Sequence, residues 1–167
     1  MRRPLTAPLP ALVVPDGLRV RPWTPGVDEA VRVVPNDAFA GHWGSEPRTP
    51  EIWSHGRTMF AAPWSLVAFA DATAEVAGYR LSGRYEHDWQ DLGYSAGYTA
   101  LLGVRRPWLR RGVGTALLAA VMDRYRAAGM PYAEDGVDTA NPSGAHGLLA
   151  SRGYEVVHGS TLVTIEL

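Results

Sequence analysis

The hydrophobic period of the chain changes several times, and each change marks an element. From Gly17 to Trp23, Leu18 and Val20 alternate with arginines at the period of two expected of a half-buried strand. Pro25 and Gly26 then open a first turn carrying Asp28 and Glu29. Ala30, Val33, Val34 and Phe39 give a helix face that Pro35 interrupts, so a short helical pair is expected. Thr49-Pro50-Glu51 has the capping residue and first-turn proline of a helix running to about Met59. Trp64 to Ala70 and Val76 to Ser82 read as the two strands of a hairpin around Asp71-Ala72-Thr73.

The most informative change follows a charged and aromatic connection, Arg84 to Asp91. Tyr98 to Val104 is patterned as a buried strand, whereas Val113, Leu117, Leu118, Val121, Met122 and Tyr125 fall on one helical stripe that Gly129 and Pro131 stop. Tyr132 to Thr139 is a weaker strand. Asn141 and Pro142 start a helix with Ala145, Leu148 and Leu149 on its apolar side and Gly153 at its end, and Tyr154 to Val157 with Thr161 to Ile165 make a terminal hairpin. This order predicts an α/β (α+β) fold, one mixed sheet of about seven strands with helices on both faces. Residues 1–15 contain Pro4, Pro8, Pro10 and Pro15 and read as a flexible leader, leaving 16–167 as a single domain.

Between that strand and helix lies a basic turn. Arg110, Arg111, Gly112, Val113, Gly114 and Thr115 present backbone N–H groups that have no carbonyl partner within the helix, and the glycines admit close approach of a ligand. The helix dipole and two guanidinium groups favour a phosphate or pyrophosphate there. The alternative is a glycine-tolerant helix start with two solvated arginines. The turn lacks the Gly-Lys-Ser/Thr of a Walker loop and the third glycine of a dinucleotide turn.

Bulk properties narrow the choice. A net charge of −1 and a pI near 6.5 over 167 residues leave no broad basic surface for nucleic acid, and no apolar run is long enough to span a membrane. The arginines cluster only at 105, 106, 110 and 111, which suits one small polyanion. With no cysteine, thiolate nucleophiles and disulfides are excluded, consistent with a cytoplasmic setting. No His, Asp or Glu group has metal-ligand spacing, so no metal is expected, and no serine sits in a nucleophile elbow.

The run Gly103-Val-Arg-Arg-Pro-Trp-Leu-Arg-Arg-Gly-Val-Gly114 resembles the acyl-CoA pyrophosphate motif, Arg/Gln-x-x-Gly-x-Gly/Ala, of the GCN5-related N-acetyltransferase (GNAT) superfamily. Val137 to Ala145 through Gly153-Tyr154 resembles its second motif. Together with the element order, the resemblance covers the chain from about Leu18 onward. It is similar in particular to actinobacterial members, including the carboxy-terminal domain of mycothiol synthase, where a segment like Asn36-Asp37-Ala38-Phe39-Ala40 precedes the acceptor region.

The resemblance implies a sheet splayed after its fourth strand and direct transfer of an acyl group from acetyl-CoA, or another acyl-CoA, to the amine of a small molecule. The protein would act as a monomer or homodimer. It implies that backbone groups of Leu102, Gly103 and Val104 hold the pantetheine and polarise the thioester, that the turn holds the pyrophosphate, and that Asn141 touches pantetheine; Asn141 would equally serve as a helix cap. Phe39, His42, Trp43 and Tyr98 are expected to line the acceptor pocket. Tyr98 stands where some members carry a carboxylate base, but its ordinary pKa near ~10 suits it to orienting water or acceptor. Glu46, Glu86, His87, Asp88 and Asp91 are rival bases. Two departures stand out: Leu109 replaces the leading Arg/Gln, and Leu149 replaces the tyrosine that protonates the departing thiolate. A CoA-binding domain without turnover therefore stays open beside the enzyme.

Overall fold

The structure is a computed structural model that describes residues 1–38, 48–55, 57–137 and 144–159. Six strands form one sheet in the order β1-β6-β5-β4-β3-β2: β1 (Arg2–Pro4), β2 (Leu18–Pro22), β3 (Leu66–Ala70), β4 (Val76–Gly83), β5 (Ala96–Val104) and β6 (Tyr132–Asp135). Neighbours are antiparallel except β5 and β6, which run parallel and are joined by the helix α5 (Val113–Ala127) that such a crossover requires. Alternation along β3 sends Leu66, Ala68 and Ala70 to one face and Val67 to the other. Ala77 is an extra residue in the β3–β4 register, a bulge that lets Ala77 join the first face while Val76, Tyr79 and Leu81 keep to the second.

On the first face α5 buries Leu117, Leu118, Val121, Met122 and Tyr125, joined by Leu149 of α6 (Ala145–Ser151). The second face is covered by α1 (Asp28–Arg32) and α2 (Val34–Ala38), which bury Val31 and Val34, and by α3 (Pro50–His55), which buries Trp53. The helical pair is interrupted as expected, but the buried stripe runs through Val31 rather than Ala30. Thr49 caps α3, its hydroxyl accepting from the Ile52 N–H at 3.3 Å.

The structure corrects three expectations. Residues 1–15 are not a loose leader at their start: Arg2–Pro4 pair with Tyr132–Glu134, Leu5 is buried, and Leu9 and Val14 pack on the core. Backbone pairing needs no apolar pattern, and Pro4 ends the strand where a missing N–H is tolerated. The connection after β4 contains a helix, α4 (Glu86–Leu92), closed by Gly93 in the left-handed region. It buries no side chain, so no stripe announced it. Finally, Tyr154–Val157 contributes an isolated bridge, Glu155 to Arg2, rather than a strand, and Thr161–Ile165 lies outside the described residues. The count is therefore six strands among the described residues against the seven expected.

Candidate acyl-transfer site

The site is built on a fork in the sheet. Residues Ala96 to Thr99 of β5 pair with Tyr132 to Asp135 of β6, and there the pairing stops although β5 runs on to Val104. At the same place Ala100 is an extra residue between the pairs Ser82–Thr99 and Leu81–Leu101, a bulge that bends β5. Beyond it, the Arg105 N–H bonds the Ala77 carbonyl at 2.9 Å, which fixes the phase of the ladder. Residues 101, 103 and 105 then turn their backbone groups to β4, and Leu102 and Val104 turn theirs into the fork, where β6 no longer pairs with them. Their side chains pack on the α5 face, and Gly103 lies under the Tyr79 ring.

From Val104 the chain passes through a short 3-10 turn, Arg106–Trp108, to the start of α5. Arg110 (φ 60) and Gly112 (φ 81) are both left-handed, and Arg111 lies over the Trp108 ring at 5.3 Å. The first N–H groups of α5 have no carbonyl partner within the helix, an arrangement suited to an anion. A Cβ on Gly112 would meet Pro15 Cγ at 3.2 Å, so glycine there is required by conformation and packing before any ligand is considered. Gly114 is different: its Cβ position makes only ordinary contact with Leu148 at 3.4 Å. Val113 is buried, Thr115 half-buried and Leu109 exposed. Leu149 is sealed in the core at 2% exposure, so it is Leu148 that flanks the cradle.

On the opposite face Tyr98 crosses the base of the fork. Its hydroxyl lies against the Gly136 backbone, where a Cβ would sit 2.5 Å from that oxygen. Its ring meets Tyr85 edge-on at 5.3 Å, and Tyr85 in turn lies 6.1 Å from His87. Burial pushes the Tyr98 hydroxyl above the ordinary tyrosine range, and Asp135, Tyr85 and Glu134 add to it, which favours the neutral phenol. Of the rival bases, Glu86 pairs with Arg84 at 2.5 Å and His87 with Asp88 at 3.2 Å, all exposed, and Asp91 is exposed as well. Phe39, His42, Trp43, Glu46 and Asn141 lie outside the described residues.

Two networks, one buried and one partly buried, carried weak sequence signals. Arg80 stands inside the apolar run Val76-Ala-Gly-Tyr-Arg-Leu81 and reaches Thr99 and, at 2.5 Å, Asp135. Asp28 accepts both Arg57 nitrogens at 2.7 Å and the indole N–H groups of Trp23 and Trp53, tying α1 to α3. Among the described residues no group of three His, Asp or Glu is placed to hold a metal, and no helix is long and apolar enough to cross a membrane.

Comparison with known proteins agrees with this geometry. Residues 29–154, from α1 to the residue after Gly153, match the model of the acetyltransferase (GNAT) family. The chain belongs to that family. It is 30% identical over 150 residues to the mycothiol acetyltransferase of Thermobispora bispora, an alignment covering 84% of this chain and 48% of that protein. It thus spans about half the length of the curated relative. Among solved structures, a GCN5-related N-acetyltransferase from Sphaerobacter thermophilus superposes with a TM-score of 0.74 at 28% identity, over 91% of this chain and 45% of the other. AAC(6')-Iy in complex with the bisubstrate analog CoA-S-monomethyl-acetylneamine superposes at 0.63 and 17% identity, over 90% and 99%, and bears on the fold alone. Within that family frame, the β5–β6 pairing of this chain ends beside the bulge in β5.

Proposed function

We propose that this protein transfers the acetyl group of acetyl-CoA directly to the amine of a small polar molecule, as a monomer or homodimer in the cytoplasm. The observation that carries the reading is the fork: the Leu102 and Val104 backbone groups leave the ladder on the side that leads to the start of α5. An N–H held rigidly in a strand polarises a thioester carbonyl without reorganisation, which is the most effective contribution a protein makes to acyl transfer. Leu102 would serve there, Val104 would hold the pantetheine amide, and residues Arg110 to Thr115 would hold the pyrophosphate. Acetyl-CoA supplies the activated acyl group.

The amine would enter from the side of Tyr98, Tyr85 and the helical pair, with Phe39, His42 and Trp43 completing its pocket. The name of the curated relative, mycothiol acetyltransferase, supports a small polar amine as acceptor. With Leu149 apolar and buried, solvent is left to protonate the thiolate. A thiol with a reference pKa near ~8.5 departs at neutral pH at a cost of only about 2 kcal/mol, so no dedicated acid is required. The test measures thiol release from acetyl-CoA over a panel of amines for wild type and Leu102→Pro. Proline removes an N–H that the ladder does not use. Turnover in wild type and its loss in folded Leu102→Pro are expected; equal turnover in both would overturn the site, and none in either would leave CoA binding without chemistry.

A further inference from the structure

We infer that Arg80 is a positioning residue that fixes where the sheet opens, and so where the thioester arm of the donor lies; this rests on the fork being the donor cleft. Arg80 belongs to β4 and its neighbour across the ladder is Leu102, the residue whose N–H enters the fork. Its guanidinium extends over β5 to Thr99 and reaches the Asp135 carboxylate on β6 at 2.5 Å. Thr99 and Asp135 are themselves the last β5–β6 pair. One side chain therefore ties three strands together at the final rung before they part, with the bulge at Ala100 immediately beyond. On the opposite face the hydroxyl of Tyr98, from the preceding rung, lies against Gly136, the residue that follows the last pair.

Energetic considerations argue that this cluster does more than stabilise. Arg80 is completely buried, and both contacts use the same nitrogen, Nη2. Its Nε and Nη1 are buried with no hydrogen-bond partner. Burial pushes the Asp135 carboxyl up against the pull of the guanidinium, while Asp135 holds the Arg80 guanidinium in its charged form, so desolvation and pairing oppose each other at this contact. An ion pair so poorly satisfied is a weak source of stability compared with apolar side chains of the same size, but it does impose a geometry. A methionine and a leucine would pack at this site without dictating that Thr99 and Asp135 end the ladder.

The experiment compares binding of acetyl-CoA with that of 3′-phospho-ADP, which shares the pyrophosphate but lacks the arm that enters the fork. Wild type, Arg80→Met/Asp135→Leu and Leu102→Pro are measured by calorimetry, with thermal melts as the check of folding. Because an ångström of misplacement is costly, the double variant should melt near wild type, bind acetyl-CoA about tenfold or more weakly, and bind 3′-phospho-ADP within about twofold. Unchanged acetyl-CoA affinity, or equal loss for both ligands, overturns the proposal. Should the double variant not fold, Thr99→Val keeps the ion pair and removes the middle tie; a selective loss of about threefold for acetyl-CoA is expected, and no selective loss overturns it. Leu102→Pro separates the two levels: if it binds acetyl-CoA like wild type, the donor cleft itself is misassigned and the role of Arg80 falls with it.

Discussion

On one face of the sheet lies a helix of fifteen residues, α5, with the shorter α6 beside it, and on the other lie three helices of five or six residues, α1 to α3. In the proposed assignment the donor side is made mainly of backbone: Leu102, Val104 and the first N–H groups of α5, which follows β5 in the chain. On the other face Asp28, in the first turn of α1, is engaged by Arg57, Trp23 and Trp53. In the proposed assignment that side would recognise its ligand with side chains. A backbone-built site tolerates almost any side chain but requires a particular chain path, whereas a side-chain-built site can be rebuilt for a new amine with the sheet unchanged.

The largest effect expected on the donor side comes from deleting one N–H. Gly114 lies in the first turn of α5, where proline is tolerated and where added atoms make only ordinary contacts. Gly114→Ala keeps the N–H and should bind CoA like wild type, with a slightly more stable helix. Gly114→Pro removes a charge-assisted hydrogen bond worth about 1.5–3 kcal/mol, so CoA should bind on the order of 10 to 100 times more weakly. Equal affinities for the two variants, measured by calorimetry, would mean that the cradle lies elsewhere. Gly112 is the poorer probe, because its substitution also strains a left-handed residue and crowds Pro15.

The same contrast explains what was legible in the sequence. The strand, turn and helix from Tyr98 to Tyr125 could be read because a change of period, two glycines and a stop are written in residue types. All six stripe residues of α5 are buried. The β1 strand could not, since pairing through backbone leaves no pattern in three residues, and α4 could not, since it buries nothing. Gly93 after two acidic first-turn residues was the available sign of α4. Arg80 was visible as a charge within an apolar strand, but its partners Thr99 and Asp135 lie 19 and 55 residues away, and only the sheet order brings them together.

The second prediction probes the side-chain face. Asp28→Ala strands the Arg57 guanidinium and two indole N–H groups, a loss of about 1.5–3 kcal/mol for a charged hydrogen-bonding group. The melting temperature should fall and the KM for the amine should rise, with CoA affinity unchanged. A parallel loss of CoA binding would show that the two faces are coupled rather than separate.

A smaller effect is expected at Leu149, which packs in the α5 core and does not face the cradle. Introducing tyrosine there overpacks a filled site, at a typical cost of about 1–3 kcal/mol. Thermal melting of Leu149→Tyr should therefore drop while thiol release stays at the wild-type rate. A rise in turnover would place residue 149 within reach of the thiolate and contradict the packing.

The smallest effect concerns Tyr98, which stands between the two faces. Its hydroxyl pKa lies above the reference value near ~10, because burial and the nearby Asp135 disfavour the charged form, so at pH 6 to 9 it is neutral. The rise of kcat/KM with pH should then follow deprotonation of the acceptor amine, and Tyr98→Phe should keep that profile. The rate should fall only several-fold, the equivalent of one hydrogen bond of about 0.5–1.5 kcal/mol. Stability supplies a second readout. A raised folded-state pKa contributes stability that is complete below about pH 10 and is lost as pH climbs through the raised value. Wild type should therefore lose more of its melting temperature above that pH than Tyr98→Phe, with the two curves parallel below it. If instead the rising limb of the rate profile moved in Tyr98→Phe, the tyrosine would be taking the proton itself, and the acceptor side would be doing acid–base chemistry that its exposed carboxylates and His87 were not needed for.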